Sequence, residues 1–178
     1  DGVSYHPPFL KGINLSVALP GKKAGELAAN GEQYDRWLER IGQLGDNSIR
    51  IYTLHYPRFY QALDNYNRLH PAHPIYVLHG IWLDEDNSTK DLYNVSQNFD
   101  DGIKEVVDAV HGKKDIPHRY GRAYGTYNND ISPWVLGWII GREIIYDEAI
   151  VTNANHPDKT SFTGTNLKIE NANPTEVW

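Results

Sequence analysis

The chain has no cysteine and no methionine among its 178 residues. Without cysteine there is no disulfide and no thiolate metal site, and the redox compartment leaves no trace in the sequence. Without methionine, not even an initiator, the expectation is a chain that starts after processing or inside a longer protein. Long apolar runs are also missing. The longest, Trp134 to Ile140, falls far short of the roughly 20 residues that a membrane-spanning helix takes. Positive charge is in the minority, with 17 Lys and Arg against 23 Asp and Glu and a net charge of −6. Proteins that track nucleic-acid phosphates present a basic excess, so neither nucleic acid nor membrane is an expected partner. No signal peptide is visible. The expectation is a soluble chain, secreted or cytoplasmic.

What is present fits one globular domain spanning 1–178. The hydrophobic fraction is 40% and the charged fraction 22%, ordinary values for a folded protein. Aromatic residues are plentiful, at 5 Trp, 12 Tyr and 4 Phe. They suit a well-filled core or a cleft whose rings stack on a sugar, and composition does not separate the two. Three triplets match glycosylation sequons: Asn14-Leu-Ser16, Asn87-Ser-Thr89 and Asn94-Val-Ser96.

Helical and strand patterns alternate along the chain. After a polar lead-in, Asp1 to Pro8, the stretch Phe9–Ser16 reads as a strand. Gly21–Gly31 reads as a loop. Tyr34, Trp37, Leu38, Ile41 and Leu44 then fall at helical spacing, and Gly45 is a stop signal. Asn47–Leu54 is β-branched and reads as a second strand. Pro57 suits the first turn of a helix that continues through Phe59, Tyr60, Leu63 and Tyr66. Ile75–Leu83 is a third strand, followed by an acidic loop from Asp84 that reads as solvated. Asn98–His111 has a helical apolar face. Gly112–Ser132 is a long connection, and loops of that length are usually functional or mobile. The run Trp134–Gly141 is continuously apolar, which predicts a strand buried on both faces. It ends on Arg142 and Glu143. Beyond it, Asp147–Val151 could start a short helix, and Asn153–Trp178 is polar.

The order β-α-β-α-β-α-β predicts right-handed crossovers and a parallel sheet. An open doubly wound sheet and part of a (β/α)8 barrel both fit. A complete barrel takes about 250 residues, so four strands correspond to its first half or to a truncated barrel. Chemistry in such folds gathers at the carboxyl ends of the strands. Here these ends supply Asn14 and Ser16, Arg50 and His55, Trp82 and Asp84, and Arg142 and Glu143. A Glu flanked by Arg and His could act as a general acid or base. Neither a zinc-type His-Glu-x-x-His spacing nor a phosphate-binding glycine loop is present, so no metal and no cofactor is expected.

Two segments carry a resemblance. Ile49-Arg-Ile-Tyr-Thr-Leu-His-Tyr-Pro57, with Phe59-Tyr60 and Asp64, looks like the second-strand segment of the retaining glycoside hydrolase clan with (β/α)8 barrels. It is most similar to the β-galactosidase/β-glucuronidase family, and its Arg-Ile-Tyr variant also resembles fungal-type β-1,3-glucanosyltransferases. Ser132-Pro-Trp-Val-Leu-Gly-Trp-Ile-Ile-Gly-Arg-Glu143 resembles the fourth-strand segment of the same clan, where the Glu is the acid/base catalyst. The resemblance implies a β-glycosidase or transglycosidase acting on an oligo- or polysaccharide. Glu143 would be catalytic, Arg50 would orient carboxylates, and His55, Trp82 and Arg142 would contact substrate. Two departures stand out. Arg142 occupies the place of the clan's Asn, and the nucleophile, carried on strand seven in the clan, is expected beyond Trp178. A barrel that kept glycan binding or a scaffold role without catalysis is the alternative. An open-sheet protein with a coincidental motif is a third reading. If the barrel is incomplete, its open edges imply self-association.

Overall fold

A computed structural model describes residues 9–16, 19–22 and 27–177. The expected lead-in at 1–8 and the centre of the expected glycine loop, 23–26, lie outside the described residues. The chain divides into two compact units. One takes in the described residues up to Ile81 together with Glu105–Ile139, and the other comprises Trp82–Lys104 and the chain from Ile140 onward.

The first unit is built on β1 (Gly12–Asn14), α1 (Gly31–Gln43), β2 (Ser48–Ile51), α2 (Pro57–Leu69) and β3 (Tyr76–Ile81). Then come the end of α3 (Ser96–Val110), the short strands β4 (Lys114–Ile116) and β5 (Gly125–Tyr127), and β6 (Val135–Ile140). The fold is mixed α/β, with a four-strand parallel sheet in the order β1-β2-β3-β6.

Local chemistry sets the helix bounds. The Asn30 side chain accepts from the Gln33 amide, and the Gln33 side chain accepts from the Asn30 amide. This reciprocal pair satisfies two otherwise orphaned donors at the start of α1. Tyr34, Leu38 and Ile41 form its buried stripe. At its end Gly45 adopts φ +76°, its N–H reaches the Gly42 carbonyl, and the Asp46 N–H reaches that of Ile41. That double closure is the Schellman arrangement, which wants a glycine at the left-handed position. Helix α2 starts on Pro57, where a missing N–H costs nothing. Its Asn67 amide pairs with both backbone groups of Ile75, at 2.8 and 3.0 Å, and so fixes where β3 begins.

Register gives the sheet two unlike faces. Ile13, Ile49 and Val77 are aligned, as are Ile51 and His79. Ile49, Ile51, Val77 and His79 are fully buried. The α2 residue Tyr60 donates its hydroxyl to His79 Nε2 at 2.8 Å, so the helices cover this face. On the opposite face Asn14, Arg50 and Leu78 are aligned, and none of them is buried.

Two expectations change in this unit. The long connection from Gly112 to Ser132 is neither open nor unanchored, since it folds into the antiparallel pair β4–β5. Tyr127 is buried and donates its hydroxyl to the His55 carbonyl at 2.7 Å. Arg119 grips Glu105 through two nitrogens, at 2.8 and 3.1 Å. Strand β6, in turn, is not buried on both faces. Leu136, Trp138 and Ile140 are exposed, and the residues between them are half-buried. Among the described residues the strand lies at one end of the sheet order and pairs only with β3. An apolar run records what a strand is made of, and only its neighbours decide whether it is covered.

The second unit has little apolar core and many hydrogen bonds. It contains the start of α3, a single 3-10 turn at Leu92–Asn94, α4 (Tyr146–Asn155), the two-residue strands β7 (Phe162–Thr163) and β8 (Lys168–Ile169), and α5 (Pro174–Val177). The acidic loop after β3, expected to be solvated, is organised around a buried Asp86. Its carboxylate accepts from the amides of Ser88, Thr89 and Asp91 and from the side chains of Ser88, Thr89 and Asn94. These donors, led by the Thr89 hydroxyl, hold the carboxyl well below the ordinary carboxylate range. Helix α4 is inverted relative to an ordinary amphipathic helix. Its buried residues are Glu148 and Thr152, whereas Tyr146 and Ile150 are exposed.

Candidate functional site

Glu143 lies three residues beyond the end of β6, in the extended link that leads to α4. Gly141, at φ +84°, turns the chain out of the strand. The Glu143 side chain is exposed and makes no hydrogen bond or ion pair with any described residue. It is a carboxylate left available, fixed at its backbone.

The fixing comes from Arg142. Its Nε donates to the Leu83 carbonyl at 3.0 Å, one terminal nitrogen donates to the Glu143 carbonyl at 3.0 Å, and the other reaches Glu148 Oε1 at 2.7 Å. The Arg142 and Glu148 side chains are each 3% exposed. Glu148 also accepts from the Ile145 amide at 3.3 Å, at the start of α4. The Arg142 bond comes first among the groups that hold the Glu148 carboxyl below its usual value, against the opposing pull of burial. The guanidinium therefore clamps the link after β6 to the segment after β3. Expected to contact substrate, Arg142 is placed inside the second unit and engaged there. Trp82, on the segment that Arg142 grips, is 47% exposed and presents a broad ring surface.

The other two expected site residues belong to the first unit. Arg50 rests its guanidinium 4.4 Å from the centre of the Tyr52 ring. Its Nε is buried and has no hydrogen-bond acceptor among the described residues. An orphaned donor of this kind is uncommon in folded proteins. His55, expected at the substrate, is 2% exposed, and its Nδ1 lies 3.1 Å from the Tyr34 hydroxyl. Burial, then the neighbouring His79 and Arg58, lowers its pKa to about 3. The ring is thus neutral and shares a hydrogen bond with Tyr34 inside the core. The structure brings Trp82, Arg142 and Glu143 into one unit and places Arg50 and His55 in the other.

Sequence reasoning gave three polar groups no structural role. His79 is fully buried, with Nδ1 on the Gly80 carbonyl at 2.9 Å and Nε2 receiving the Tyr60 hydroxyl. Nothing in an apolar strand marks such a histidine in advance. Asp91 receives Asn155 Nδ2 at 2.9 Å and His156 Nε2 at 2.9 and 3.0 Å, while His156 stacks on Tyr93. Glu148 had one readable sign, its place in the first turn of a helix, where an acidic residue is favoured. Among the described residues no group of three or more His, Asp or Glu side chains is arranged to hold a metal, and no helix is long and apolar enough to cross a membrane. Set against family models, curated proteins and solved structures, the chain has no match.

Proposed function

We propose that this chain is a (β/α)8-type protein that processes β-glycosidic bonds by the retaining acid/base mechanism, with Glu143 as the proton donor. The observation that carries the reading is the unengaged carboxylate of Glu143 just past the fourth parallel strand. The strand order supports it as well. A doubly wound sheet reverses its order at a switch point, whereas β1-β2-β3-β6 runs in sequence without reversal, as barrel strands do. The helix-covered face and the barer face bearing Arg50 suit the outside and inside of such a wall.

Arg142, where the clan has Asn, raises the objection that a cation beside the acid would keep it ionised. Its engagement by Glu148 and by backbone carbonyls answers this, because the positive charge is already paired with another carboxylate. In the proposed reaction Glu143 protonates the leaving glycosidic oxygen while a second carboxylate bonds the anomeric carbon, and Glu143 then takes a proton from the water or acceptor sugar that displaces that carboxylate. Trp82 offers a face for a sugar ring. Arg50 belongs to the other unit, so its orphaned donor is no part of the site proposed around Glu143. His55, enclosed by the core, drops out of the substrate-contact set.

The test is Glu143→Gln, assayed on aryl β-glycosides of graded leaving-group acidity. General-acid catalysis contributes about 10²–10⁴-fold. The variant is expected to lose that factor on poor leaving groups and much less on strongly acidic ones. Equal activity of variant and parent on poor leaving groups overturns the assignment.

A second reading, a glycan-binding or scaffold barrel without turnover, is favoured by a specific observation. Retention needs two carboxyl groups about 5–5.5 Å apart. In the second unit Asp86 is enclosed by donors, Asp147 pairs with Lys90 at 2.7 Å and Glu148 pairs with Arg142. None of the three is free to act as nucleophile. Oligosaccharide binding with no turnover on any glycoside selects this reading.

A further inference from the structure

The three sequons differ sharply in what the fold does with them. In Asn14-Leu-Ser16 the backbone is part of the sheet. Asn14 is aligned with Arg50, the Leu15 amide donates to the Arg50 carbonyl at 2.9 Å, and Leu15 is buried. In Asn94-Val-Ser96 the acceptor nitrogen is committed twice, since Asn94 Nδ2 donates to Asp86 at 3.1 Å and to the Thr89 hydroxyl at 2.8 Å. Its Ser96 hydroxyl bonds the Tyr93 carbonyl at 2.8 Å, but the Thr89 hydroxyl of the Asn87 triplet is likewise engaged, with Asp86 and Asn94, so the acceptor amides and not the hydroxyls distinguish the two. Replacing one amide hydrogen of Asn94 by a sugar would remove a donor from the buried Asp86 carboxylate. In Asn87-Ser-Thr89 all three residues are exposed and lie in a turn, and the Asn87 side chain bonds no described residue. The turn is held from beneath by Asp86, so Asn87 is presented outward on a fixed base.

We infer that Asn87 is the site at which this chain carries an N-linked glycan when it passes through a secretory pathway, and that Asn14 and Asn94 do not carry one in the folded protein. The reaction joins Asn87 Nδ2 to the anomeric carbon of an oligosaccharide delivered as a polyprenyl diphosphate ester. The anomeric carbon–oxygen bond breaks, the lipid diphosphate leaves, and the amide gives up one proton to the transferase. No electrons change hands. A surface turn is where such an acceptor belongs, and Asn87 Nδ2 is not among the donors to Asp86, so a sugar on it removes none of them. The inference is independent of the glycosidase reading.

The experiment secretes the chain from a yeast host behind a cleavable leader. The intact mass is compared before and after an amidase that releases N-glycans, and the converted asparagine is located by peptide mapping in heavy-oxygen water. The expected result is a single glycan on Asn87, lost in Asn87→Gln and kept in Thr89→Ser, which retains the hydroxyl. Asn87→Gln touches no folded contact, so its circular dichroism and melting temperature are expected to match the unglycosylated parent. Secreted, folded protein with no glycan, or with a glycan on Asn14 or Asn94, overturns the inference.

Discussion

At the scale of single residues, the clearest contrast is between neighbours. Arg142 is enclosed and Glu143 is open, although both were expected to meet substrate. A buried ion pair adds little net stability compared with an apolar pair, but removing one partner strands a charge. Glu148→Ala is therefore expected to destabilise the second unit by about 3–5 kcal/mol, measured by urea denaturation. Arg142→Asn is expected to cost a similar amount. If Arg142→Asn left the denaturation midpoint unchanged, the clamp described for it would be wrong. Glu143→Gln is expected to leave stability unaltered. The sequence placed Glu143 just past a strand end because it follows a recognisable apolar run. It did not identify Glu148, because the pairing spans six residues and a turn whose geometry no local pattern encodes. Asp86 was hidden for a related reason. An acidic, polar stretch reads the same whether its carboxylate faces water or six donors.

At the scale of elements, α1 and α2 follow their sequence closely. Cap, stripe and stop are all local signals: Asn30 with Gln33, then Tyr34, Leu38 and Ile41, then Gly45. Asn30→Ala is expected to cost about 1 kcal/mol through the lost cap. Gly42 is different, because a Cβ there would run into the Tyr66 hydroxyl where α1 packs on α2. Gly42→Ala should raise helix propensity yet destabilise the protein, by about 1–3 kcal/mol if the tyrosine has no room to yield. Thermal denaturation of Gly42→Ala alone and combined with Tyr66→Phe separates the two effects, since removing the hydroxyl should restore stability. A stabilised single variant would sink the packing argument. Strand β6 and the β4–β5 pair mark where local reading fails. The first needed its neighbours to be known. The second needed Tyr127 to find the His55 carbonyl, a contact 72 residues apart in the chain.

At the scale of the whole molecule, the two units are held by different chemistry, and acid should expose this. In the first unit burial lowers His79 from 6.5 to about 4 and His55 from 6.5 to about 3. Each imidazole is neutral when folded and prefers protonation when unfolded, so the unfolded state binds more protons below the unfolded value. Stability is complete above pH 6.5 and is lost as pH falls toward 4. For His79 alone the loss is on the order of 3 kcal/mol. In the second unit Asp86 and Glu148 are held below their usual values by the bonds they accept. Their contribution is present above the unfolded carboxylate range and is lost only as pH falls through it. The first unit is therefore expected to weaken first on acidification. Imidazole proton resonances of His55 and His79 should not titrate between pH 5 and 7.5. A midpoint near 6.5 for either ring would show that it is not enclosed as described.

The sequence by itself determined the alternation of strands and helices, the caps and stops of α1 and α2, and the place of Glu143 after the fourth parallel strand. These rest on periodicity and on contacts within a few residues, which the order of residues states directly. Only the tertiary structure decided which polar groups are enclosed. His55 became a core hydrogen-bond partner of Tyr34, Arg142 became a clamp, Asp86 became the centre of a loop, and β6 was left half-covered. The free energy of a polar or apolar side chain depends on whether water or another group faces it. That is settled by partners far apart in the chain, which no window of sequence contains.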